Sequence, residues 1–203
     1  GCASNKVTLP VTVNATPPPV VITASFDPVC ANQTGVTYTA TSLPLTDYTW
    51  EFPIIGGATG SSIIGGQGSN QVTVNVGSVS GNIRVTPQTI GGDCPGSPAT
   101  FFIDVRQRPT MATYTVPAAT VCSDTPINID FTVAGGSVAA PTFRITNVTV
   151  PPGLSPSTRA FNPATPVLST EIHNDAFTNT TGGNLDVRYT VVPVSADGCE
   201  GPA

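Results

Sequence analysis

Charge is what this sequence has least of. Charged residues make up 9% of its 203 positions, where about 25% is usual, and lysine occurs once, at Lys6. Seven scattered cations cannot neutralise a row of phosphates, so nucleic-acid binding has no support. The twelve acidic residues are scattered too, leaving no run of like charge for a tail or a membrane-surface patch. Histidine also occurs once, at His173. A metal or acid–base site wants a second imidazole or a nucleophile beside it, and the serines and threonines have no second histidine or lysine to activate them. Neither a catalytic residue nor a cofactor is expected. No stretch approaches the roughly 18 apolar residues of a membrane-spanning helix, and no window carries helical periodicity.

What is there is turn chemistry and short apolar alternation. Glycine (20) and proline (21) are abundant, 39% of the chain is hydrophobic, and the surface must be covered by Thr, Ser, Asn and Gly. The length suits two sandwich domains of about 100 residues each. Five cysteines without a C-x-x-C pair point to an oxidising, extracellular setting rather than to zinc or redox chemistry.

The cysteines mark an internal repeat. An offset of 92 places Cys2 on Cys94 and Cys30 on Cys122. The same register superposes Leu9, Val11 and Val13 on Phe101, Ile103 and Val105, and Pro17 on Pro109. Asp197-Gly198-Cys199-Glu200-Gly201-Pro202 is a third copy of the turn around Cys94. Residues 1–17 therefore read as the last strand of a preceding repeat plus a proline-rich linker. Residues 18–108 read as one whole repeat, and 109–203 as a second that lacks its last strand.

Strands are expected where apolar residues alternate with period two. In the first repeat these are Val36/Tyr38/Ala40, Tyr48/Trp50/Phe52, Val72/Val74/Val76 and Ile83/Val85. In the second they are Ile127/Ile129/Phe131, Phe143/Ile145 and Leu185/Val187/Tyr189/Val191. The glycine-rich stretch 56–68 reads as a loop, since it lacks the lysine and following helix of a phosphate cradle. The expected fold is all-β, tandem immunoglobulin-like antiparallel sandwiches, with Trp50 and Tyr189 in the cores. Disulfides are expected between Cys30 and Cys94 and between Cys122 and Cys199, each pinning one end of a sandwich, with Cys2 unpaired or intermolecular. The alternative couples Cys94 to Cys122. Asp93, Asp124, Asp197 and Glu200 lie near the cysteine turns, but no calcium loop accompanies them. The Asn-x-Thr triplets at Asn14, Asn32, Asn147 and Asn179 are read as chance in a Thr- and Asn-rich chain.

Val29-Cys30, Val36-Thr37-Tyr38, Tyr48-Thr49-Trp50-Glu51-Phe52-Pro53 and Gly66-Gln67-Gly68 ahead of Val72-Thr73-Val74 resemble the PKD-like repeats of very large Bacteroidota surface adhesins. The second repeat is similar to a variant of these through Val121-Cys122-Ser123, Phe177 to Thr181, Tyr189 to Pro193 and Gly198 to Pro202. The resemblance implies a filamentous secreted or cell-surface protein of the gliding-motility adhesin type, exported by the type IX route, and carries over no catalytic residue. The first repeat has Trp50-Glu51-Phe52-Pro53 in place of the Trp-Asp-Phe-Gly-Asp-Gly stretch of better known PKD domains.

The function expected is non-enzymatic: a structural or adhesive segment that spaces or presents binding surfaces. The alternative is a carbohydrate-binding module of a secreted hydrolase, for which no aromatic platform is evident. Expected partners are neighbouring repeats or further copies, with Leu9, Val11 and Val13 completing a second-repeat sheet head to tail, and a surface polysaccharide.

Overall fold

The computed structural model describes residues 7–91, 94–115, 118–156 and 165–202. All regular structure among them is β, in thirteen strands: β1 (Ile22–Ala24), β2 (Val29–Cys30), β3 (Val36–Ala40), β4 (Thr46–Glu51), β5 (Ser62–Gly65), β6 (Gln71–Asn75), β7 (Gly81–Thr89), β8 (Ala99–Ile103), β9 (Val105–Arg106), β10 (Thr142–Thr149), β11 (Leu154–Pro156), β12 (Phe177–Asn179) and β13 (Arg188–Val194). The chain divides into two compact units, Gly1–Val105 and Arg106–Ala203.

In the first unit the period-two pattern does the folding. Val36, Tyr38 and Ala40 of β3, Tyr48 and Trp50 of β4, Val72 and Val74 of β6, and Ile83 and Val85 of β7 are all buried, while the residues between them face outward. Alternating faces give each strand one side for a core and one for water. The strands assemble as β1-β3-β6-β5 and β4-β7-β8, with β2 beside β9. With the seven main strands lettered in chain order, these sheets are ABED and CFG, the arrangement of constant-type immunoglobulin sandwiches. Trp50, on the third of these strands, is 1% exposed, but no disulfide joins the strands flanking it. Tyr38 packs on Phe101 instead, ring centroids 5.7 Å apart.

The glycine-rich stretch 56–68 is not all loop. It contains β5, antiparallel to β6 with an irregularity after Ile63. The strand escapes the sequence pattern because it is a short edge whose residues are mostly exposed.

The second unit is sparser. β10 pairs antiparallel with β13, bulging between Ile145 and Asn147, and β11 pairs with β12. Ile127, Phe131, Phe143, Ile145 and Ile172 form its core, with Tyr189 and Val191 packed against it half-buried. Ile127 and Phe131 are buried without joining a ladder. Their amides donate singly to Asp175 (2.9 Å) and Ser169 (2.8 Å), so the strand expected there is not formed. Leu185 and Val187 likewise precede β13 rather than belong to it.

Candidate interaction surface

Each unit ends a long strand with the same turn. Thr89 N donates to Cys94 O (3.3 Å) and Gly96 N to Pro87 O (2.7 Å). In the second unit Ser195 N donates to Cys199 O (3.0 Å) and Gly201 N to Pro193 O (2.9 Å). Bridges join Gln88 to Pro95 and Val194 to Glu200. The two turns thus make the same pair of backbone bonds to β7 and β13, the first with one residue more between its bonded ends, and each closes over a proline of the incoming chain. A Cβ on Gly96 would lie 3.1 Å from Pro17 O, and one on Gly201 only 1.9 Å from Pro109 O. Pro17 and Pro109 are the pair superposed by the 92-residue offset. Around the second turn, Arg108 donates to Glu200 O (2.6 Å) and Arg144 pairs with the Glu200 carboxylate.

The expected disulfide pairs are not formed. Cys30 and Cys199 each belong to a disulfide, whereas Cys94 and Cys122 do not; Cys2 lies outside the described residues. The reason is polarity along the strands. Val29 N bonds Asp104 O, beyond Ile103, which pairs with Gly81 at the start of β7. Cys94 follows the end of that strand. Nine residues separate the two poles by about 27 Å, and a disulfide needs Cα atoms within about 7 Å. The second unit repeats this. Residues 167–175 run from Phe143, which bonds Val167, to Tyr189, whose hydroxyl donates to Asp175 (2.7 Å). Asp124 bonds Phe177 further on, so Cys122 sits at the Arg188 end of β13 and Cys199 at the Val194 end.

The outer edge of β4 is closed by a clasp. Trp50 N donates to Gln67 Oε1 (3.0 Å) and Gln67 Nε2 donates to Trp50 O (2.6 Å), while Tyr48 and Gly68 exchange backbone bonds. One side chain thereby mimics a neighbouring strand and blunts an edge that would invite pairing. Trp50 Nε1 donates to Ser69 O (2.9 Å). The Tyr48 hydroxyl donates to Thr41 O (2.8 Å) and accepts from Leu43 N (2.7 Å), in the manner of a tyrosine corner.

Among the described residues the β13 edge facing away from β10 has no such cover. On the equivalent side of β7, β8 pairs from Gly81↔Ile103 to Val85↔Ala99, and Ile83 and Val85 are 0% exposed. Among the described residues no strand lies there in the second unit, and Tyr189 and Val191 are only half-buried. Conversely, Val7, Leu9, Val11 and Val13 form no strand and are 76–88% exposed.

The remaining polar groups are dispersed among the described residues. His173 Nδ1 is 2.7 Å from Asp130 Oδ1, both well exposed. Asp124 and Glu200 sit at opposite ends of the second unit, Asp93 lies outside the described residues, and no described group of three His, Cys, Asp or Glu could hold a metal. A shallow groove of ≈ 500 Å³ lies beside the clasp, lined by Asp47, Thr49, Gln67, Gln88 and Ile90. Tyr48 borders it too, but its ring is turned into the core, 3% exposed. Burial, aided by the charge of Asp27, pushes the Tyr38 hydroxyl up to about 12. No described helix is long and apolar enough to cross a membrane.

Residues 15–105 match a family described as PKD-like domain, and residues 155–203 match a second family of the same description. No curated protein matches the sequence. Among solved structures, the human desmocollin-1 ectodomain is similar at 13% identity and a TM-score of 0.28, over 86% of this chain and 32% of that one.

Proposed function

We propose that this chain, which is built of PKD-like domains, is a non-enzymatic structural and adhesive segment of a secreted or cell-surface filamentous protein. The observation that carries the reading is the duplicated turn, in which two units of one chain close on Pro17 and Pro109 with the same hydrogen bonds. Repetition of a small sandwich extends a surface and multiplies its contacts. The resemblance to repeats of Bacteroidota adhesins supports a parent of the gliding-motility type, exported by the type IX route. Partners on this reading are neighbouring repeats or copies joined head to tail through an added strand, and a surface polysaccharide. Beads coated with the chain are expected to adhere to cells or polysaccharide films and to turn over no glycoside, ester or peptide substrate; catalytic turnover, or beads that do not adhere, would overturn the proposal.

The second reading, a carbohydrate-binding module of a hydrolase, draws on the polar groove beside Gln67. Glycan-array binding lost on Asp47→Ala or Gln88→Ala would favour it.

A further inference from the structure

Resting on the repeat reading, we infer that the Val7–Val13 segment of one copy docks as an antiparallel strand on the open edge of β13 in a second copy, Leu9 facing Tyr189. The register follows from two superpositions. The duplicated turn places Pro87 on Pro193, and hence Ile83 on Tyr189 and Val85 on Val191. The 92-residue offset places Val7 on Ala99, Leu9 on Phe101 and Val11 on Ile103. Since β8 pairs Ala99 with Val85 and Phe101 with Ile83, the docked segment pairs Val7 with Val191, Thr8 with Thr190, Leu9 with Tyr189 and Val11 with Val187.

Three observations favour this occupant. First, the phases match. The inward positions of the first unit's edge, Phe101, Ile103 and Val105, are partly or fully buried, and Leu9, Val11 and Val13 supply the same positions to Tyr189 and Val191, which are only half-buried where Ile83 and Val85 are fully so. Second, Pro10 falls where a proline costs nothing. Asn82 N donates to Gly56 O and Asn82 O accepts from Ala58 N, so its partner Phe102 has backbone groups turned away from β7. Pro10 takes the Phe102 position, and its missing N–H is on the outer edge. Third, residues 7–15 carry no charge to desolvate, and Thr8 meets Thr190 as a favourable cross-strand pair. Donor and acceptor are different surfaces, so the contact is heterologous and links copies head to tail into rings or open filaments.

Thr8 and Thr190 occupy a pair without backbone bonds, with Cα atoms about 4.5 Å apart, within disulfide range. In a background of Cys2→Ser, Cys94→Ser and Cys122→Ser, a chain carrying Thr8→Cys is mixed with one carrying Thr190→Cys under mild oxidation. A disulfide-linked heterodimer is expected at least about tenfold above that from Thr12→Cys with Thr190→Cys, four residues out of register. Leu9→Asp with Val11→Asp, at side chains exposed in the single chain, is expected to abolish it without altering circular dichroism. Equal cross-linking in both mixtures, or none in either, overturns the docking. Bead adhesion reads the other proposal separately: adhesion without cross-linking refutes the docking alone, and cross-linking without adhesion refutes the adhesive role alone.

Discussion

At the scale of single residues, two side chains of the first unit make opposite demands. Gln67 satisfies both backbone groups of Trp50, and no apolar residue replaces that. Gln67→Ala is expected to cost about 1–3 kcal/mol, the penalty of leaving partly buried backbone groups unpaired, and to shift Trp50 emission to the red. Gln67→Glu, which keeps an acceptor but turns the donor into a second acceptor facing Trp50 O, is expected to cost more. Equal stability of the three proteins in urea would refute the clasp. Tyr38 is the reverse case: its hydroxyl is buried without a hydrogen-bond partner among the described residues. Tyr38→Phe is therefore expected to be neutral or to stabilise by up to about 2 kcal/mol. The raised hydroxyl adds a pH signature. Folded Tyr38 holds its proton to about 12 while the unfolded chain releases it near 10, so stability falls between those values, by about 3 kcal/mol in all. Below pH 10 this contribution is constant, and Tyr38→Phe should flatten that part of the alkaline limb in denaturant titrations.

At the scale of elements, the duplicated cysteine turn yields a graded prediction. A Cβ on Gly201 would meet Pro109 O at 1.9 Å and Pro193 Cγ at 2.8 Å, whereas on Gly96 the nearest atoms are Pro87 Cγ at 3.0 Å and Pro17 O at 3.1 Å. Gly201→Ala must displace backbone and is expected to cost more than about 2 kcal/mol, while Gly96→Ala needs shifts of tenths of an ångström and should cost under about 1 kcal/mol. Thermal shifts of the two variants check the order. The turn also marks how far sequence carries. Its recurrence was legible because Cys-x-Gly stands at Cys94 to Gly96 and again at Cys199 to Gly201, and β3, β4, β6 and β7 were legible because Val36/Tyr38/Ala40 and their like alternate strictly. β5 was hidden among glycines because a short exposed edge imposes no pattern. Cysteine pairing was misread because spacing measures loop length and says nothing of which pole a residue occupies. The Gly66-Gln67-Gly68 clasp was visible only as part of a resemblance; its role needs the geometry of Trp50.

At the scale of the whole molecule, the two units are unequal. The first buries seventeen hydrophobic residues in one cluster, from Val20 to Val105, whereas the second buries nine among the described residues, five of them in its core cluster. Hydrophobic burial stabilises by about 1.5–3 kcal/mol for each large side chain, and in the second unit Tyr189 and Val191 are only half-buried, on a sheet edge that no strand among the described residues covers. Calorimetry should therefore resolve two transitions, the lower one from residues 106–203. The single tryptophan assigns them. Trp50 is 1% exposed in the first unit, so its emission should begin blue-shifted, remain unchanged through the lower transition and move to the red only in the upper. Far-ultraviolet circular dichroism should follow both. A synthetic peptide spanning residues 5–15, if it occupies the β13 edge, should raise the lower transition and leave the upper in place, because a ligand stabilises only the unit whose native state it binds. A single coincident transition by all three probes would contradict the inequality of the units. A peptide that raised the upper transition instead would locate its site in the first unit.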